Sequence, residues 1–140
     1  MTFRKRTSTR LIRSVPLVEM RAEVRTFHSP DIPDLAAHTP SDATSFAFLL
    51  EVMAGPKEEE GEESFNVEVC TPAWLSELLR KERVVMGRHH LIVADYDWSR
   101  ISAFITKWVA SCEGDTWEQV ALKVGRLGHW EFEDYVEAKP

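Results

Sequence analysis

The side chains able to do chemistry fall into three groups. His28, His38, His89 and His90 can ligate zinc or move a proton near neutral pH. Glu131, Glu133 and Asp134 can hold a divalent ion or serve as acid and base. Cys70 and Cys112 are the thiols. Spacing argues against catalysis in each group. His89 and His90 are adjacent, and neighbouring side chains on a strand leave by opposite faces, so they do not chelate one metal easily. The two cysteines lack metal-type spacing, and a Cys70–His89 pair would have to be made by the fold alone. There is no nucleophile-elbow serine. Gly125-Arg-Leu-Gly128 follows a helical pattern instead of opening one, so it offers no free N–H groups to a phosphate. Solvated histidines, buried free thiols and a solvated acidic strand end are the expected state, with no catalytic set, no metal and no cofactor.

Charge gives the strongest non-catalytic signal. The chain has 140 residues and a formal net charge of −6. Arg4, Lys5, Arg6, Arg10 and Arg13 crowd one end, so residues 16–140 keep 12 basic and 23 acidic side chains, a balance of −11. Such a body repels nucleic acid and attracts basic protein surfaces. The acids concentrate at Glu58, Glu59, Glu60, Glu62 and Glu63, which read either as a solvated hairpin tip or as an anionic finger for a basic cleft. No run approaches the length of a membrane span, and the basic start lacks the apolar stretch of a secretion signal. Together with free thiols this fits a reducing cytoplasm, no membrane and no nucleic-acid partner.

The elements that must position these groups follow from periodicity. Residues 1–17 have no period and read as a basic, disordered extension, leaving 18–140 as one domain. Residues 18–27 alternate loosely as a first strand, and Pro30, Pro33 and Pro40 mark a loop after it. Phe46, Phe48, Leu50 and Val52, then Phe65, Val67 and Val69, recur at every second position around the glutamate loop, which predicts a long-tipped hairpin. Thr71-Pro72 opens a helix striped by Trp74, Leu75, Leu78 and Leu79. The apolar run 91–94, within 90–96, predicts a central strand covered on both faces. Asp97 caps a helix carrying Trp98, Ile101, Ile105, Trp108, Val109 and Cys112. Asp115 to Glu118 fits a capping box for a third helix ending at Gly128, and residues 129–136 predict a last strand. There Trp130 and Phe132 face one way while Glu131 and Glu133 face the other. The order β-β-β-α-β-α-α-β predicts an α+β fold: a mostly antiparallel sheet of about five strands with three helices mainly on one face.

The closing stretch Gly125-Arg-Leu-Gly-His-Trp-Glu-Phe-Glu-Asp-Tyr135 resembles the end motif of immunity protein family 8. Further matching stretches are Phe27-His-Ser-Pro-Asp31, Gly55-Pro-Lys-Glu-Glu-Glu-Gly-Glu-Glu-Ser-Phe65, Val69-Cys-Thr-Pro-Ala-Trp-Leu75, Gly87-Arg-His-His-Leu-Ile-Val93 and Gly114-Asp-Thr-Trp117. Their order and spacing carry the resemblance from about Met20 to Val136. It implies a small bacterial protein that binds and neutralises a cognate polymorphic toxin domain without catalysis of its own. The charge pattern then suggests occlusion of a basic active site, with Glu58, Glu59, Glu60, Glu62, Glu63, Trp98, Glu131, Glu133 and Asp134 as contacts. The alternatives are a small metal-dependent hydrolase built on His89, His90 and the terminal acids, and an adaptor using its basic arm. Oligomeric state is not written in the sequence.

Overall fold

The computed structural model describes residues 19–135. The basic extension expected over 1–17 lies outside them. The elements are β1 (Met20–His28), β2 (Ala47–Pro56), β3 (Glu63–Cys70), α1 (Pro72–Glu82), β4 (His90–Ile92), α2 (Trp98–Ala110), β5 (Glu113–Gly114), α3 (Trp117–Val124) and β6 (His129–Trp130).

The hairpin forms as its alternation requires. Strands β2 and β3 pair antiparallel from Ala47 opposite Cys70 to Ala54 opposite Glu63. Phe48, Leu50, Val52 and Ala54 meet Phe65, Val67 and Val69 on one face, and all are buried. Helices α2 and α3 cover this face with Ile101, Ile105 and Val109, and with Val120, Ala121 and Val124. Burying such branched side chains contributes about 1.5–3 kcal/mol each. The opposite face carries Leu49, Glu51, Met53, Ser64, Asn66 and Glu68, all half-buried.

The sheet is mixed, not mostly antiparallel. Its order is β4-β3-β2-β1-β5, and β6 also pairs with β3. Strand β4 joins β3 in parallel at Glu68, Val69 and Cys70, while β6 joins the same edge antiparallel at Phe65 and Asn66. A parallel pair needs a crossover helix, and α1 is that crossover. It is otherwise peripheral, since none of its residues is buried and Leu79 is exposed, so the predicted stripe stays half in solvent.

Two predicted strands come out shorter. The run 90–96 gives a three-residue strand at the sheet edge, not a covered central one. Leu91 and Val93 pack on the core, but Ile92 is 57% exposed. The last strand stops at Trp130, and residues 131–134 form a turn. Running antiparallel, His129 lies opposite Asn66 and Trp130 opposite Phe65. Glu131 N then donates to the Ser64 carbonyl at 3.2 Å, but Ser64 N donates back to the Glu131 side chain at 3.0 Å, and the chain turns there. The ladder ends where a carboxylate replaces a backbone carbonyl as the acceptor of its next bond. Phe132 therefore packs edge-on against Trp130 at 6.0 Å instead of lying beside it on one strand face. Gly128 permits the approach: a Cβ there would come within 3.0 Å of the Asn66 backbone.

The N-caps of α1 and α2 follow the sequence, whereas α3 ends with its C-cap at Gly125 and not at Gly128. Thr71 accepts the Trp74 N–H and Asp97 the Arg100 N–H. At α3 the cap falls one residue later than predicted. Thr116 accepts from Gln119 N, and the reaching side chain is Gln119, which accepts the Asp115 N–H at 2.9 Å, in place of Glu118.

Candidate functional site: an anchored acidic loop

The glutamate-rich loop is built from its base outward. Strand β1 carries a bulge between Val24 and Thr26, so Arg25 is an extra residue. Bulges re-aim side chains, and here the guanidinium turns into the loop. Arg25 Nη2 donates to the carbonyls of Pro56 at 2.7 Å, Glu59 at 2.6 Å and Gly61 at 3.3 Å, and Nη1 pairs with Glu23. Gly55 makes room for the wrap, since a Cβ there would meet the Gly61 carbonyl oxygen at 2.0 Å. The backbone carbonyls are thus turned inward, and Glu58, Glu59, Glu60 and Glu62 stand exposed.

Glu63 behaves differently from its neighbours. Its Oε1 accepts the indole N–H of Trp117 and that of Trp130, both at 2.8 Å. One carboxylate oxygen therefore ties the start of β3 to α3 and β6. A recess of about 240 Å³ lies between the loop glutamates and Trp117.

The terminal acids also have internal partners. Glu131 Oε1 accepts from Ser64 N at 3.0 Å and Ser64 Oγ at 2.6 Å. Glu133 pairs with Arg88 at 2.9 Å. Asp134 is exposed, with a left-handed φ of 64°. Since Ser64 follows Glu63, the C-terminal turn is brought to the base of the acidic loop. Trp98 is not brought there. It is half-buried, edge-on to Phe27 at 5.1 Å, beside a recess of about 430 Å³ near the far end of β1.

His28, His38 and His90 lie apart among structural partners, while His89 lies edge-on to His129 at 6.0 Å. His28 Nδ1 lies 2.8 Å from Glu51, His38 sits edge-on to Tyr96 at 5.0 Å, and His90 Nδ1 lies 3.0 Å from the Gly87 carbonyl. His89 Nε2 lies 2.8 Å from the Gly125 carbonyl and 2.9 Å from Arg88 Nε. One nitrogen cannot donate to the first and accept from the second. The neutral Nε2–H tautomer satisfies the carbonyl, and burial holds the His89 pKa down, with Arg88 and His129 adding to it. Among the described residues no group of three or more His, Cys, Asp or Glu side chains is placed to hold a metal ion.

Cys70 and Cys112 are both buried. Burial, with Glu68 adding, pushes the Cys70 thiol up to about 11, and burial raises Cys112 as well. Protonated thiols are poor nucleophiles.

Sequence reasoning missed Arg25 and the two indoles on Glu63. An arginine in mid-strand carries no signal of a bulge, and the tryptophans read only as apolar.

No helix among the described residues is long and apolar enough to cross a membrane. No curated protein and no solved structure matches the chain. The family model of immunity protein 8 matches residues 22–135, a span from β1 through the C-terminal turn that includes the anchored loop. The chain belongs to the immunity protein 8 family.

Proposed function

We propose that this protein is a stoichiometric inhibitor that binds a bacterial toxin domain and covers a basic active site with the loop between β2 and β3. Family membership supports the class of function. The observation that favours this face is the Arg25 anchor: three loop carbonyls are held inward while Glu58, Glu59, Glu60 and Glu62 stand in solvent. A loop already tied down loses less conformational entropy on binding. Four grouped carboxylates speed encounter with a basic partner. Domains that cut nucleic acid hold phosphates in basic clefts, so a nuclease is the partner class this charge suits best. Asp134 and the exposed Glu131 extend the acidic face from the adjoining turn, and the half-buried Glu63 and Glu133 support it. Trp98 serves the core in this reading. Inhibition is by occupancy, without turnover, in the cytoplasm of the producing cell, and residues 1–17 are dispensable for it.

The test replaces Glu58, Glu59, Glu60 and Glu62 together by glutamine and assays protection against a candidate toxin domain cloned from the reading frames neighbouring this gene. Loss of protection and a fall of about tenfold or more in the association rate at low salt are expected. Unchanged protection and rate would overturn the mechanism.

A further inference from the structure

The edge of the sheet formed by β4 is open. Glu68 N–H donates to the His89 carbonyl and Val93 N–H to the Cys70 carbonyl, so residues 89, 91 and 93 face β3. In a parallel ladder the alternate residues face the other way. His90 N–H turns back to the Gly87 carbonyl, but the N–H and C=O of Ile92 point away from the sheet. Exposed edges are ordinarily blunted by charge or proline. Leu91, Ile92 and Val93 carry neither.

A groove of about 230 Å³ runs beside this edge, between the strand and α2. Ile101 closes its floor, and Phe104, 53% exposed, stands on its wall. Exposed Ile92 and Phe104 together give an apolar patch of the kind that marks an interaction site. The rim is acidic: Arg100 lies 3.4 Å from both Asp95 and Asp97, leaving one carboxylate charge in excess.

We infer that β4 is a docking edge for an extended segment of the toxin domain, which adds a strand at Ile92 and seats one large apolar side chain in the groove. This rests on the toxin-binding reading and assigns it a second contact, apart from the acidic loop. Charge decides between possible occupants. A second copy of a chain with net charge −6 is repelled by a rim of its own sign, whereas a basic strand is attracted. Main-chain bonds at the edge supply affinity, and the groove supplies side-chain selection.

Ile92→Pro removes the outward N–H, which no sheet bond uses, and edge positions of this kind tolerate proline. Ile92→Val keeps it. Wild type and both variants, as full chains, are titrated against a purified candidate toxin domain cloned from the neighbouring reading frames. At least a tenfold weaker Kd for Ile92→Pro, near wild-type binding for Ile92→Val, and slowed exchange of the wild-type Ile92 amide in the complex are expected. Equal binding by Ile92→Pro would overturn the edge contact alone. If that variant is unfolded, an Ile92 amide that exchanges equally fast in free and bound wild type does the same. No binding by wild type would overturn the toxin reading and this one with it. Dimerisation of the free chain that Ile92→Pro abolishes would assign the edge to a second copy instead.

Discussion

Glu63 and Trp130, 67 positions apart, are joined by a 2.8 Å bond from the indole N–H to Oε1, and Trp117 donates to the same oxygen. The carboxylate closes the C-terminal strand onto the hairpin. Glu63→Ala leaves two indole donors without their acceptor, which is expected to lower stability by about 2–3 kcal/mol in urea denaturation. Glu63→Gln keeps an acceptor oxygen and is expected to lose less than half of that. A loss for Glu63→Ala below about 0.5 kcal/mol would show the bond to be incidental.

Arg25 makes a separate claim on the loop. Arg25→Ala frees the carbonyls of Pro56, Glu59 and Gly61 together. Limited digestion with a glutamate-specific protease is expected to cut the variant within residues 58–62 several times faster than wild type, with a stability loss of about 1–2 kcal/mol. Arg25→Lys is expected to fall between, because one ammonium cannot reproduce the planar donor geometry. Equal digestion of all three would mean that the loop is not held by this side chain.

Acid stability is expected to depend on His89. Burial depresses its folded pKa below the usual 6.5, aided by Arg88 and His129 and opposed by the Gly125 carbonyl and Glu133. The unfolded chain takes up the proton as pH falls through about 6.5, while the folded chain still resists it. The stability contributed by neutral His89 is therefore complete above that point and lost as pH falls from it toward the folded value. His89→Gln should show a smaller drop in Tm between about pH 7.5 and 5.5 than wild type. Parallel curves would rule His89 out as the source.

Both thiols are expected to stay silent in the native protein. Cys70 is fully buried, with its pKa at about 11, and Cys112 is also raised by burial. A colorimetric disulfide reagent at mildly alkaline pH should label neither until denaturant is added, then both. Rapid native labelling at Cys70 would contradict its placement.

The sequence was most legible where a local rule decides the outcome. Alternation at Phe46 to Val52 and Phe65 to Val69 identified the hairpin, and Thr71 and Asp97 announced their helices by cap chemistry. What stayed hidden was set by pairing between distant segments. Nothing near Leu91 says that β4 would sit at an edge, because an apolar run reads alike whether one face or two are covered. Nothing near Phe132 says that the ladder would run out, because that depends on the Glu131 side chain meeting Ser64, 67 residues away. The candidate site was legible in charge but not in role. All five loop glutamates look alike in sequence, yet four are exposed and Glu63 is engaged by two indoles. That difference arises only once α3 and β6 have come to the same place.

Strand β3 has one edge divided between two partners, β4 at Glu68 to Cys70 and β6 at Phe65 and Asn66. The two partners enter from opposite directions and are made at different times. As the chain is synthesised, the hairpin and β4 are available well before residues 129–130, so the stretch of β3 beside the acidic loop is the last to gain its neighbour. Until then Phe65 lacks the Trp130 ring that stacks on it and Glu63 lacks one of its two donors. The end of the molecule that bears the glutamates thus matures after the rest, and a chain cut short before His129 would display the charges of the loop on a base that had never been closed.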